Sequence, residues 1–284
     1  MKSALKTLTA TTFASLAFTS SVLAGETASD DTIAAQRAAL SEATEGQGAG
    51  PQAPRDIDQK SGTNQRTFSH APASTLMNLC NIHFHENAEH KGGEFTTYAG
   101  NGDGHGYGTG FIYDGELSDA ELAPVSATIG ESEHGDLQPG DTLEVHFVYS
   151  TAQITPGPTL GACLSDAIGN PQLRVETQVI VLVNDTSAAD FVEMAKIEVV
   201  NGLHQAVNIP TDMGTPVVYS GSTTGPSYNE KASPFQVTWS VRPNVAKVDI
   251  MSVDAWIKDN VFDEDHAHGV RNLVINPSLL SEIN

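Results

Sequence analysis

Basic residues are scarce in this chain: its 284 residues include Lys+Arg 14 against Asp+Glu 35, which gives a formal net charge of −21 at pH 7. A nucleic-acid-binding protein needs a basic face to displace the counterions of the phosphates. A protein that docks on anionic lipid needs basic residues for a similar electrostatic reason. The charge balance therefore argues against both nucleic acid and a membrane surface as partners.

Long hydrophobic runs are also lacking after residue 25, where no stretch approaches the roughly 20 apolar residues needed to span a bilayer. Residues 1–24 instead have the pattern of an export signal. Lys2 and Lys6 precede a run of apolar and small residues, and the Val-Leu-Ala sequence that ends at Ala24 is typical of a cleavage site. We therefore expect a signal peptide over residues 1–24 and an exported protein, either periplasmic or secreted.

Cysteine is limited to one pair, Cys80 and Cys163. An oxidising compartment outside the cytoplasm favours a disulfide between them. The alternative is that Cys80, which is close to a histidine cluster, binds a metal as a thiolate. Residue alternation in a strand argues against this alternative, because it puts Cys80 on the face opposite to the histidines.

Helical periodicity is scarce, and from about residue 65 the chain consists of short β-type runs separated by Gly, Pro, Asn and Asp. Residues 32–43 could form a helix but lack a strong apolar stripe, so we expect residues 25–50 to be a flexible acidic lead-in. Residues 51–284 are predicted to form one mainly β domain. The runs predicted as strands are 79–85, 142–149, 173–184, 196–200, 217–219, 235–241 and 245–250, and short helices are predicted over 189–195 and 253–259. The Gly-rich stretch 99–110 lacks the helix that follows a phosphate-binding loop, so it is predicted to be a loop or an edge insertion.

His83 and His85 lie two residues apart in a strand-like run. Alternate residues of a strand share a face, so Asn81, His83 and His85 point the same way and both imidazoles can reach one ion. A second run repeats this pattern with Glu144 and His146. If the two strands are neighbours, three imidazoles converge. Three neutral nitrogens with an open fourth position are typical of a catalytic zinc site.

Polar side chains that could support such a site share the same strand faces. A zinc-bound histidine usually donates its other N–H to a carboxylate or carbonyl oxygen, and Glu144 and Asn81 are predicted to have this role. An isolated H-x-H is more often a pair of half-exposed surface histidines, because a metal site needs a third ligand. The second strand and the adjacent Glu89-His90 pair favour the metal site over this interpretation.

The order of these motifs resembles the zinc site of carbonic anhydrases. The α-type enzymes have H-x-H, then E-H, then E-x-H-x-V, which correspond here to His83–His90 and Glu144–Val148. Residues 233–241 resemble their V-T-W strand, and residues 50–58 and 264–274 resemble the δ-type group more closely. The resemblance implies an α-carbonic-anhydrase-like fold, which is a single domain built on a large, mostly antiparallel twisted β-sheet with few short helices.

The resemblance also implies a function, the zinc-dependent, reversible hydration of carbon dioxide to bicarbonate and a proton by a zinc-bound hydroxide. Zn²⁺ would be held by His83, His85 and His146, and carbon dioxide and bicarbonate would be the small-molecule partners. Two other functions stay open for the same fold. One is a catalytically silent zinc-binding or interaction module, and the other is a weak zinc esterase.

A threonine orients the hydroxide in the family, and by resemblance Glu89 would accept the proton of that threonine. Thr223 and Thr224 are both candidates for the threonine, because the family's segment has no clean copy here. A small apolar substrate also needs an apolar wall beside the metal. The candidates for that wall are Val148, Val237 and Trp239.

No residue matches the proton-shuttle histidine of the α-type enzymes. His70 and His105 are candidates for a mobile histidine that could take this role. A further pair, His266 and His268, has no third histidine close by in sequence, so it is predicted to have a structural role.

Overall fold

The computed structural model describes residues 27–284 of the chain. The predicted signal peptide over residues 1–24 lies outside the described residues. The strands are β1 (Asn78–Glu86), β2 (Thr97–Asn101), β3 (Thr109–Ile112), β4 (Thr142–Ser150), β5 (Leu173–Val183), β6 (Ile197–Val200), β7 (Leu203–Ala206), β8 (Val217–Ser222) and β9 (Gln236–Asp249). The helices are α1 (Asp30–Thr44), α2 (Phe191–Met194) and α3 (Ile250–Lys258), and 3₁₀ turns occupy Ser74–Leu76, Leu160–Cys163, Pro226–Tyr228 and Pro277–Leu279. Among the described residues, none of the helices combines the length and the hydropathy that a bilayer crossing requires.

Five strands form the central sheet in the order β1-β4-β5-β9-β8. Every neighbouring pair is antiparallel except β5 and β9, which run parallel. The prediction of a mainly β, mostly antiparallel fold with short helices is therefore confirmed. The runs predicted separately over 235–241 and 245–250 form one strand, β9, which continues through Pro243. Its pairing with β5 shifts register near this proline, between Thr177 and Val179, as expected where a proline removes a ladder hydrogen bond.

Both faces of the central sheet are buried, and they contribute to two different cores. Phe84 and Phe147 belong to the first core, where they pack with Phe191 of α2 and Trp256 of α3. The second core includes Val148, Val175, Val237 and Trp239, and none of its buried members among residues 27–284 belongs to α1, α2 or α3. The two cores explain why β4 and β5 are apolar on both sides.

Strand β1 contains a bulge that interrupts the alternation of its side chains. Leu79 pairs with Tyr149 and Asn81 pairs with Val148, so Cys80 is an extra residue in the ladder. Leu79 consequently packs in the first core, whereas Cys80 packs in the second core beside Val148. The prediction that Cys80 faces away from the histidines was wrong, because a bulge puts two successive residues opposite one partner residue.

The disulfide Cys80–Cys163 is present, as predicted, and it leaves no free cysteine. It joins β1 to the 3₁₀ turn Leu160–Cys163 on the histidine face of the sheet. Hydrogen bonds fix the same connection, because the Cys80 carbonyl accepts the Gly157 N–H (3.0 Å) and the Gly157 carbonyl accepts an N–H of Asn81 (3.0 Å). The disulfide therefore positions a loop beside the histidines.

Helix α1 differs from the flexible lead-in expected over residues 25–50. Ser29 caps the helix by accepting a hydrogen bond from the N–H of Thr32 (3.1 Å). Two aspartates in the first turn also stabilise the helix, because their negative charges lie at the positive end of the helix dipole. Leu40 is buried in a small cluster with Val274 and Leu279 near the C-terminus. Because only a few side chains of α1 are buried, the helix needs few apolar residues, and its sequence shows only a weak apolar stripe.

Candidate metal centre

The pairing of β1 with β4 puts His83 opposite His146 and His85 opposite Glu144. This register meets the condition that the two histidine-bearing strands are neighbours. One ring nitrogen from each of His83, His85 and His146 lies within 4.8 Å of the others. Two of them, His83 Nε2 and His146 Nδ1, are 3.2 Å apart. A single ion can therefore reach all three imidazoles.

The second nitrogen of each of these rings is hydrogen-bonded to an oxygen. The pairs are His83 Nδ1 with Asn81 Oδ1 (2.6 Å), His85 Nδ1 with the Gly269 carbonyl (3.0 Å) and His146 Nε2 with Glu144 Oε1 (2.8 Å). Each oxygen can accept the N–H of a neutral ring, and the nitrogen that faces the other histidines is then available to a metal ion. Asn81 and Glu144 thus form the hydrogen bonds expected of them, while the Gly269 carbonyl comes from a segment that no sequence pattern indicated.

Burial keeps the imidazoles of His83 and His85 neutral. Desolvation, with the repulsion of neighbouring imidazoles, lowers the pKa of His83 well below its usual value. Desolvation also lowers the pKa of His85 to about 4. His85 Nε2 is buried and has no hydrogen-bond partner among residues 27–284, although buried polar atoms are normally satisfied. A neutral, unsatisfied nitrogen beside two others is what a zinc ion with three histidine ligands requires, so the residues present fit zinc.

Glu144 organises the layer behind the histidines. It accepts hydrogen bonds from His146 Nε2, from His90 Nδ1 (2.6 Å) and from the His90 backbone N–H (2.9 Å). Burial alone would raise the pKa of Glu144, but the electrostatic effect of His90 and the hydrogen bonds from both histidines lower it well below its usual value. The Tyr219 hydroxyl is 2.7 Å from His90 Nε2 and donates to it. The ionised Glu144 therefore fixes the tautomer of His146 that leaves Nδ1 free.

A second group of potential ligand atoms shares this layer: His90, Glu144 and His146 also approach one another within 4.8 Å. Their facing atoms already form the hydrogen bonds just described. An ion between them would have to displace those bonds, whereas the facing nitrogens of His83, His85 and His146 have no partner other than one another among residues 27–284. The geometry therefore favours the group with three histidines as the metal centre.

A cavity of about 560 Å³ opens on the three histidines, and most of its wall is apolar. The three residues expected at the substrate wall, Val148, Val237 and Trp239, all line it. Leu160, beside the disulfide, and Phe262, after α3, also line the cavity, and sequence analysis missed both. Tyr107 adds an aromatic side chain from the Gly-rich stretch, which forms the hairpin turn between β2 and β3.

Thr223 and Thr224 both line the cavity, but only Thr223 is fully buried. The Thr223 hydroxyl is hydrogen-bonded to the Ser233 hydroxyl. Glu89 is also buried, and its Oε1 accepts the backbone N–H of Arg271 (3.0 Å). Its Oε2 has no partner in the described part of the chain. Among residues 27–284, neither carboxylate oxygen of Glu89 is therefore hydrogen-bonded to the hydroxyl of Thr223 or Thr224, and the partner of the Thr223 hydroxyl is Ser233.

Of the four other histidines that the sequence analysis considered, only one lies at the cavity. His70 and His105 are exposed and do not line the cavity. His268 does line it, with Nε2 at 3.0 Å from Glu264 Oε2 and its ring centroid 5.9 Å from that of His83. His266 instead bonds Asp265 (2.5 Å). Both members of this pair are therefore engaged in bonds to carboxylates of their own segment.

Comparisons with known proteins gave one match to a family model and a distant match to a solved structure. A family model described as delta carbonic anhydrase matches residues 74–252, which is more than half of the chain and includes the three histidines, Glu89 and Glu144. The alpha-carbonic anhydrase from Thermovibrio ammonificans, in complex with the inhibitor sulfanilamide, is 14% identical to this chain. That alignment covers 78% of this chain and 84% of the other, with a TM-score of 0.26. No curated protein sequence matches the chain.

Proposed function

Since the chain belongs to the delta carbonic anhydrase family, we propose that it catalyses the zinc-dependent, reversible hydration of carbon dioxide to bicarbonate and a proton. The observation that carries this proposal is the convergence of three ring nitrogens, from His83, His85 and His146, at an apolar cavity. Three such ligands leave an open fourth position for water.

When bound, zinc supplies a nucleophilic hydroxide near neutral pH, because it lowers the pKa of its water to about 7. His83 and His85 would hold the ion through Nε2, and His146 would hold it through Nδ1. Asn81 and Glu144 orient two of these rings and the Gly269 carbonyl orients the third. This support reduces the reorganisation needed for catalysis and raises the affinity for the metal.

The cavity wall would bind carbon dioxide, which is small and has no net dipole. Val148, Val237 and Trp239 are buried and apolar, and all three line the cavity. An apolar wall favours an apolar substrate over water. Where it excludes water, it also strengthens the electrostatic interactions of the attacking oxygen. Bicarbonate is charged and is poorly solvated by this wall, so water would readily displace it.

We assign the orientation of the attacking oxygen to Thr223 rather than Thr224. Thr223 is buried at the cavity wall, and a hydrogen bond fixes its hydroxyl group. Thr224 is only partly buried and has no hydrogen bond from its side chain to another described residue. A fixed hydroxyl group can hold an attacking oxygen in one orientation without losing further entropy.

We also propose that the protein acts outside the cytoplasm, as the pattern of residues 1–24 predicts. The disulfide Cys80–Cys163 supports this location, because such bonds persist mainly in oxidising compartments. No enzymatic step depends on the location, and a chain that starts at residue 25 is expected to retain the same site.

Metal analysis and a stopped-flow hydration assay on the same purified sample test the proposed function. We expect stoichiometric zinc and carbon dioxide hydration that disappears on removal of zinc by a chelator and returns when zinc is added. Bound zinc without hydration would instead identify a silent zinc-binding module. Hydrolysis of an aryl ester without hydration of carbon dioxide would identify a zinc esterase.

A further inference from the structure

The hydroxyl groups of Thr223 and Ser233 are hydrogen-bonded to each other at the edge of the metal cavity. Thr223 directly follows β8, and Ser233 lies three residues before β9. A backbone bond from the Thr223 N–H to the Phe235 carbonyl (2.9 Å) joins the same two ends of the loop. These two hydrogen bonds therefore hold together the two ends of the loop between β8 and β9, and one of these ends is Thr223 at the cavity wall.

Ser233 is itself held by a buried polar network. Its backbone N–H donates to Gln52 Oε1 (2.8 Å), which also accepts a hydrogen bond from Arg271 Nη1 (3.3 Å). The backbone N–H of Arg271 in turn donates to Glu89 Oε1. Thr223, Ser233, Gln52, Arg271 and Glu89 are all buried. The network connects Glu89 to Thr223 through three intermediate residues.

A threonine hydroxyl has one proton and two acceptor positions, so each hydrogen bond restricts the directions that remain for the others. The partner that restricts Thr223 is Ser233 and not Glu89, whose Oε2 has no partner in the described residues. Without the Ser233 hydroxyl, Thr223 could rotate about its Cα–Cβ bond among its staggered positions. Its oxygen would then leave the position it has at the cavity wall.

We propose that Ser233 is a positioning residue for the hydration reaction, and that its hydroxyl fixes the Thr223 hydroxyl in the orientation that the attacking oxygen requires. This inference rests on the proposed function. Ser233 does not line the cavity, so it acts through Thr223 and does not contact the substrate. Gln52 extends the same support by fixing the backbone of Ser233.

The first test replaces Ser233 and measures hydration and zinc content together. Ser233→Ala is expected to lower kcat by about 10–100-fold, the usual effect of removing a supporting hydrogen bond behind a metal site, with zinc content unchanged. Ser233→Thr keeps the hydroxyl and is expected to restore most of kcat. The matched control is Ser240→Ala, because Ser240 is equally buried and its Oγ has no partner among residues 27–284.

The second test separates positioning from a general structural role. Thr223→Val keeps the shape of residue 223 and removes its hydroxyl, so adding Ser233→Ala to it should cause no further loss of kcat. In the cobalt-loaded protein, Ser233→Ala should also shift the pH midpoint of the visible absorption change by about one unit, the size of one hydrogen bond to a charged group. Ser233→Cys, which has nearly the same volume and a weaker hydrogen bond, gives the same readouts if Ser233→Ala does not fold.

These readouts distinguish failure of this inference from failure of the proposed function. A wild-type protein that binds zinc and does not hydrate carbon dioxide would overturn both, before any variant is measured. An active wild type with an unchanged kcat and spectral midpoint in Ser233→Ala would overturn only the role of Ser233. An equal loss of kcat in the wild-type and Thr223→Val backgrounds would also overturn it, since Ser233 would then act independently of Thr223.

Discussion

His83 Nε2 lies 3.2 Å from His146 Nδ1, across the ladder between β1 and β4. The other nitrogen of each ring faces an oxygen, Asn81 Oδ1 for His83 and Glu144 Oε1 for His146. Each oxygen favours the neutral tautomer that leaves the facing nitrogen available to a metal ion. The cross-strand pair, with His85 beside it, is therefore the part of the site best suited to hold a metal ion.

Glu144→Gln should weaken zinc binding by about 10–100-fold. Glu144 accepts three N–H groups from His90 and His146. A glutamine there keeps one oxygen acceptor and turns an NH₂ donor toward another donor. Competition with a chromophoric chelator measures the affinity. Glu176→Gln is the control, because Glu176 pairs with Arg174 rather than with a histidine of the site. Equal zinc affinities in the two variants would contradict the role of Glu144.

Zinc binding should release few protons at pH 6. An ordinary imidazole, with a pKa near 6.5, is mostly protonated at that pH and loses its proton when it binds a metal. The pKa of His85 is lowered to about 4 and that of His83 is lowered well below its usual value, so both are already neutral at pH 6. Their affinity for zinc is therefore lost only at lower pH, as the pH approaches about 4 for His85.

Calorimetric titration with zinc in buffers of different ionisation enthalpy counts these protons. We expect fewer than two protons released per zinc at pH 6. The control is the same titration of a short peptide with two exposed histidines, which should release protons at that pH. Release of two or more protons by the protein would contradict the prediction that His83 and His85 are both neutral at pH 6.

Loss of the disulfide should destabilise the protein and loosen one wall of the cavity. Replacing Cys80 and Cys163 by serine together should lower the free energy of unfolding by about 4 kcal/mol, because the cross-link closes a long loop in the unfolded chain. Leu160, in the turn that ends at Cys163, should then hold the wall less firmly, so KM should rise more than kcat falls. Urea unfolding and stopped-flow hydration measure the two effects. Unchanged stability, or two free thiols in the denatured, unreduced wild type, would contradict this prediction.

The histidine site could be predicted from sequence because the side chains of a strand alternate between its two faces. Asn81, His83 and His85 are spaced by two, as are Glu144 and His146, so local alternation was enough to put each set on one face. The alternation does not show which strands pair, and the resemblance to a known family supplied the order of the motifs. The structure adds the register that puts His83 opposite His146.

The features that sequence analysis missed depend on irregular or distant parts of the chain. The bulge at Cys80 reverses its face, and no local signal in the sequence marks it. The Gly269 carbonyl reaches His85 across 184 positions, and a carbonyl oxygen has no residue-type signature. Phe262 and Ser233 belong to loops whose position is set by the strands and helices around them. A helix at the position of α1 was considered but a flexible lead-in was preferred, because the buried side of the helix is narrow and its apolar stripe is weak.

The choice of His83, His85 and His146 as metal ligands is best tested by the zinc content of His146→Ala, measured beside that of His266→Ala and the wild type. We expect one zinc per chain in the wild type and in His266→Ala, because His266 is outside the cavity and bonds Asp265. His146→Ala should lose both zinc and carbon dioxide hydration, because two imidazoles from one strand are too few to hold the ion in its site. Full zinc occupancy in His146→Ala, or loss of zinc in His266→Ala, would contradict the assignment of His83, His85 and His146 as the metal ligands.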